Sequence, residues 1–325
     1  MDRRAFATGI ALGVLAHPFA AWAQREGKVH RIGYLNLRAG PVLQDEAFVQ
    51  ALRELGYVEG RNLIIDYRWA AEKEEQLPAL AAELVALKVE VIVTSATPAV
   101  SAAKRATNTI PIVMAAVADP VGSGLVASLG HPGGNVTGMT LLSTDLAGKR
   151  LQLVREILPR AKRIAVLALG GLSATPLLLA AMRAAGQTMD LELITQLVTK
   201  PEELPGAFTE FQKAGAHALI VQVSPLTLDQ RDTIVEQAAQ HRLPAMYDVR
   251  AFVDAGGLVA YGPDLVAMYR RAAAYVDRIF KGAKPGDLPI EQPTKFEFVI
   301  NLRTAKTLAI SIPQGLLLRA DEVIQ

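Results

Sequence analysis

The sequence predicts an α/β fold of two doubly wound parallel-sheet lobes joined by a multi-segment hinge. Three observations predict it. Strand-like and helix-like segments alternate almost from end to end, the pattern of parallel strands covered by helices. The alternation restarts near residue 163, so there are two series. The chain of 325 residues also exceeds what a single core fills, roughly 250–300 residues.

In the first series, residues 31–36 read as a strand and 47–55 as an amphipathic helix stopped by Gly56. Residues 62–69 alternate Leu63, Ile65 and Tyr67, a period of two that marks a strand. A helix over 77–87 precedes a continuous apolar strand over 89–94, the kind buried on both faces. Then come a helix (97–106), a strand (111–117), a short helix (122–129), a strand (135–141) and a helix (146–158). The second series has strands over 163–169, 192–198 and 218–223, with helices over 176–185, 202–214 and 228–240. Short strands over 244–247 and 258–261 precede a long helix over 265–280. A last strand over 295–301 leads into a helix over 304–309. Pro285, Gly286, Pro289 and Pro293 mark 282–293 as a linker, and 256–264 reads as a return hinge. The expected division is 29–143 with 263–297 in one lobe and 144–262 with 298–325 in the other.

Residues 1–23 have the layout of a secretory signal peptide. Asp2, Arg3 and Arg4 make a charged start, 5–16 are apolar and mostly small, and Ala21-Trp22-Ala23 gives an A-x-A cleavage pattern. The apolar run is too short to span a bilayer. Arg3-Arg4 also resembles a twin-arginine export signal. A mature chain starting near Gln24 and working in the periplasm is expected. The formal net charge of +2 is no footprint for nucleic acid or an anionic membrane. The absence of cysteine excludes disulfides and a lipid-anchoring cysteine, and a large core needs neither.

In open parallel sheets, ligands sit beyond the carboxyl ends of strands. Asn36 follows the first strand. Ser95 and Thr97 follow the third, with Thr97 placed as an N-cap and Pro98 as the first helical residue. A helix start there presents backbone N–H groups to an anion such as a carboxylate. Asp119 follows the fourth strand and is a candidate for a ligand ammonium, or simply a turn residue before Pro120. In the second lobe, Ser173, Thr175, Ser224 and Tyr247 occupy the corresponding ends. Tyr247 and Tyr261 are candidate aromatic walls, or core tyrosines with satisfied hydroxyls. His30, His131, His217 and His241 are scattered without metal or triad spacing. No G-x-S-x-G, Walker A or dinucleotide fingerprint occurs. A catalytic site, a metal and a cofactor are therefore not expected.

One long stretch carries a resemblance. Residues 118–129, from Ala118-Asp119-Pro120-Val121-Gly122 to Ser128-Leu129, continue into His131-Pro132-Gly133-Gly134-Asn135 and Val136-Thr137-Gly138. With Leu55-Gly56-Tyr57, Tyr261-Gly262-Pro263 and Asn301-Leu302-Arg303, this run resembles the ABC transporter substrate-binding proteins that include the TrpX-type aromatic amino acid binders. The resemblance covers essentially the whole mature chain. It implies the type I periplasmic binding fold and a small organic solute, an amino acid or an aromatic or carboxylate compound, closed between two lobes. It implies a transient ABC permease partner in the inner membrane and a monomeric receptor. It places ligand contacts at 95–98, at Asp119 and around Ser173, Ser224 and Tyr247. The chain departs from the tryptophan-binding members at 36–41, where they carry a His-Pro stretch, and at 170–175, where an Asn-Pro-rich loop is usual. The same fold also serves as a ligand-sensing module for signalling partners, which is the alternative role.

Overall fold

The computed structural model describes residues 28–141, 143–171 and 174–325. The signal-peptide reading and Ser173 lie outside the described residues.

The first sheet has five parallel strands in the order β2-β1-β3-β4-β5. They are β1 (His30–Asn36), β2 (Leu63–Trp69), β3 (Val91–Thr94), β4 (Ile112–Val117) and β5 (Val136–Thr140). The continuous apolar runs β3 and β4 are wholly buried at its centre, as a sheet covered on both faces requires. Helices α1 (Leu43–Glu54), α2 (Leu77–Ala86) and α3 (Thr97–Ala106) connect the strands. The second sheet runs β12-β11-β10-β9-β8-β6-β7. It comprises β6 (Arg163–Leu169), β7 (Glu192–Val198), β8 (Ala218–Val221), β9 (Ala245–Tyr247), β10 (Val259–Pro263), β11 (Phe296–Asn301) and β12 (Glu322–Ile324). Around it lie α4 (Ser143–Ile157), α5 (Ala174–Thr188), α6 (Leu204–Lys213), α7 (Pro225–Asp229), α8 (Arg231–Gln240), α9 (Ala251–Asp254), α11 (Leu302–Thr307) and α12 (Gln314–Leu317).

Helix α10 (Leu265–Phe280) follows the second sheet in sequence but packs on the first. Its apolar face buries Met268, Tyr269, Ala272, Ala273, Tyr275 and Val276 against Phe48, Leu52 and Val113. After α10 the chain stays with the first sheet through Glu291. Thr137 Oγ1 donates to the Leu288 carbonyl (2.8 Å), and Glu291 N–H donates to the Gly138 carbonyl (2.9 Å). The chain then enters β11. It passes between the sheets at three places: after β5, between β10 and α10, and between Glu291 and β11.

Several elements differ from the sequence expectation. The second sheet is not wholly parallel, because β11 returns from the first lobe and runs antiparallel to β10, with Val259 opposite Ile300. Residues 122–129 form turns, not a helix. Gly124 sits at φ 69°, and Leu125 and Val126 both donate to the Pro120 carbonyl (2.9 and 3.2 Å). That fold buries Leu125 and Val126. The helix expected over 228–240 is two, α7 and α8, broken at Gln230. The short α9, α12 and β12 carry too few residues for any periodicity to register.

Candidate functional site

The carboxyl ends of the strands of both sheets face one cavity of about 70 Å³. Leu141, Leu228 and Leu265 supply apolar walls, while Arg38, Ser95, Thr97, Gln222 and Ser224 supply polar atoms.

On the first-lobe side the site is built on a buried ion pair. Both oxygens of Asp45 accept from Arg38 Nη2, at 2.7 and 2.6 Å, and both side chains are 3% exposed. Asp45 also accepts the Tyr34 hydroxyl and the Val42 N–H (2.7 Å), which anchors it at the first turn of α1. Asn36 Oδ1 accepts from Arg38 N–H and Nε (both 3.3 Å), and its Nδ2 donates to Ser95 Oγ (3.0 Å). The guanidinium lies over the Trp69 ring, 5.8 Å from its centroid, a cation–π distance. Tyr269 of α10 completes the floor. Burial pushes its hydroxyl up; the Arg38 charge and hydrogen bonds with Ser95 and Asn36 pull the other way. With Nε and Nη2 engaged, Arg38 Nη1 is buried without a hydrogen-bond partner.

Helix α3 opens on this cavity. Ala96, not Thr97, is its N-cap, at φ 63° and ψ 146°, and no side chain caps the helix. Thr97 is the first helical residue and lines the cavity. The first N–H groups of a helix have no intrahelical partner. An uncapped start therefore leaves them for a ligand.

The second-lobe side comes from the loop after β8. Ser224 caps α7, accepting from Thr227 N–H (3.1 Å), while Thr227 Oγ1 donates to the Gln222 carbonyl (2.8 Å). This holds Gln222 at the cavity, where it is 3% exposed and its Oε1 has no partner. Asp248 supports the loop from behind. It accepts Val223 N–H (3.1 Å) and pairs with Arg150 Nη1 (3.1 Å), both side chains 2% exposed. Burial raises the Asp248 carboxyl above its ordinary range, with Arg150 and Val223 opposing.

Of the residues expected at the site, Ser95, Thr97 and Ser224 line the cavity. Asn36 stands behind Ser95 and orients it. The other described candidates are placed elsewhere. Asp119 is a turn residue, its Oδ1 accepting Gly122 N–H at 2.7 Å. Thr175 donates to the Leu169 carbonyl (2.8 Å) and is turned inward. Tyr247 is 1% exposed in the second-lobe core and stacks on Phe252, ring centroids 4.8 Å apart. Tyr261 stacks on Phe296 at 6.2 Å. Arg38, Gln222 and Tyr269 escaped the sequence reading. The first two follow β1 and β8 closely, and that placement is the signal that singles them out. Among the described residues there is no cluster of metal-ligating side chains and no helix long and apolar enough to cross a membrane.

The chain is similar to a tyrosine-binding protein of Clostridioides difficile, 29% identical over 284 residues, which cover 86% of this chain and 81% of the relative. A conserved domain protein from Vibrio cholerae superposes with a TM-score of 0.86 at 28% identity, covering 91% of this chain and 100% of its own. A domain from Streptococcus pneumoniae in complex with L-Trp superposes with a TM-score of 0.84 at 27% identity, covering 91% and 99%. The sequence model of the ABC transporter substrate binding protein family matches residues 41–324. With two α/β lobes and a cavity between them, the chain has the type I periplasmic binding fold and belongs to the ABC transporter substrate binding protein family.

Proposed function

We propose that this protein is an extracytoplasmic receptor that closes its two lobes on a small organic solute and delivers it to an ABC permease. The observation that carries this reading is the shared cavity, with unpaired polar atoms of Arg38 and Gln222 supplied from opposite lobes. The lobes are 29–143 with 263–297 and 144–262 with 298–325, except that Pro263, Phe296 and Glu297 go with the second, because Pro263 ends β10 and pairs with Phe296, as Gly262 does with Glu297. The three crossings act as the hinge, so binding shifts the population toward the closed form. Residues 1–23 direct export to the periplasm, by the general or the twin-arginine route, and the mature receptor acts as a monomer. The ligand is an amino acid or an aromatic or carboxylate compound. The relatives named for tyrosine and L-Trp support that class, as does the uncapped start of α3.

A thermal-shift screen of the mature chain tests this against amino acids, aromatic acids and small carboxylates. A ligand at about 100 times its Kd adds roughly 2.7 kcal/mol to stability. Trp69, the one tryptophan outside the signal segment, lies beside Arg38 and provides a fluorescence readout. Recovery of the bound compound unchanged, and loss of its uptake in a deletion strain, are the expected results. Normal uptake of every compound that binds would remove the transport role and favour sensing.

A further inference from the structure

The two unpaired atoms differ in kind. Arg38 Nη1 is a donor on the first lobe, and Gln222 Oε1 is an acceptor on the second. We infer that they read the two poles of one ligand: an organic carboxylate at Arg38 and an uncharged O–H or N–H donor at Gln222. The ligand class is thus a carboxylate bearing a neutral hydrogen-bond donor, such as a 2-hydroxy acid, in preference to the matching α-amino acid. This rests on the shared cavity being the ligand site.

The donor pole is well built. Arg38 is fixed by Asp45, Asn36 and the Trp69 ring, which leaves the N–H groups of Nη1 unpaired. Thr97 and the uncapped start of α3 stand beside it. A guanidinium N–H, a hydroxyl and a helix N-terminus together suit a carboxylate. The acceptor pole is different. No Asp or Glu lines the cavity. The buried acids behind the lining are engaged: Asp45 by Arg38, Asp248 by Arg150, and Glu72 with Asp229. Asp119, the candidate partner for an ammonium, is held in its own turn. A neutral carboxamide oxygen satisfies a hydroxyl or amide donor fully. It does not repay the desolvation of an ammonium, which needs a counter-charge when buried. Because the two poles come from different lobes, only the closed form satisfies both. Recognition and closure are then one event.

The test uses three matched sets: alanine, lactate and propionate; leucine, 2-hydroxy-4-methylpentanoate and 4-methylpentanoate; phenylalanine, 3-phenyllactate and 3-phenylpropionate. Affinities for the wild type and Gln222→Met are read by calorimetry, with Trp69 fluorescence as a second signal. In at least one set the hydroxy acid binds at least about tenfold tighter than the amino acid. Gln222→Met costs the hydroxy acid about tenfold, the worth of one lost hydrogen bond, and leaves the acid without a donor unchanged. Tighter binding of the amino acid in every set that binds overturns the inference. So does an equal effect of Gln222→Met on hydroxy and unsubstituted acids. Binding by none of the nine also overturns it, while stabilisation by another compound of the wider screen would leave the receptor reading intact. Only silence of the whole screen would count against both.

Discussion

At the scale of single residues, the Arg38–Asp45 pair is the feature with the largest consequence. Both charges are buried, so removing one strands the other. Arg38→Met is expected to cost about 3–5 kcal/mol, read as a lower urea midpoint, and Arg38→Met with Asp45→Asn to recover part of it. Gly138 carries a second constraint. It sits at φ 127°, and an added Cβ would meet the Met114 carbonyl oxygen at 2.1 Å. Gly138→Ala should therefore destabilise by about 1–3 kcal/mol from overpacking alone, with the backbone strain on top. Residues also explain what the sequence hid. An arginine two positions past a strand reads as a solvated loop residue. Its burial depends on Asp45, seven residues on, and on Asn36 turning back to it. Conversely, Tyr247 has the residue type of a binding wall, yet its ring is committed to Phe252. Side-chain direction is decided by tertiary neighbours, which neither residue type nor spacing encodes.

Elements were more legible than residues. The buried strands β3, β4 and β6 are continuous apolar runs, and α10 has a strongly amphipathic pattern, so their type and place follow from period alone. The start of α3 shows where this stops. Thr97-Pro98 has the residue types of a cap and a first helical position, but the chain enters one residue earlier through Ala96 in the left-handed region. The difference separates two threonine and serine roles that look alike in sequence. Thr97→Val is expected to weaken ligand binding while leaving the thermal midpoint of the free protein nearly unchanged, because Thr97 caps nothing. Ser224→Ala is expected to lower stability by about 1 kcal/mol, the usual worth of an N-cap, since Ser224 accepts from Thr227 N–H. Calorimetry and thermal unfolding of the two variants separate these effects.

At the scale of the whole molecule, the lobes meet through carboxyl groups as well as through ligand. Glu72, in the loop after β2, is pushed up to about 8 by burial and by its hydrogen bond with Asp229 of α7, against the opposing charge of Arg38. That bond crosses from the first lobe to the second and needs a proton. When the lobes part, water returns Glu72 to the ordinary carboxylate range. Below about pH 4 the carboxyl is protonated in both forms, and the contribution to closure is complete. As pH rises toward 8 the open form gives up its proton first, and the contribution is lost. Affinity should accordingly fall several-fold between about pH 5 and pH 8. Glu72→Gln, which keeps a donor at all pH values, should flatten the profile. An unchanged profile in that variant would place the pH dependence elsewhere.

Helix α10 has a further consequence, for the order in which the protein is made. It supplies Met268, Tyr269, Ala272, Ala273, Tyr275 and Val276 to the first-lobe core, yet it is synthesised after β6 to β10 of the second lobe. A nascent chain ending before residue 264 has every strand of the first sheet and lacks the helix that covers one face of it. The amino-terminal lobe therefore cannot mature first, as amino-terminal domains ordinarily do during translation. Its folding waits for the last fifth of the polypeptide.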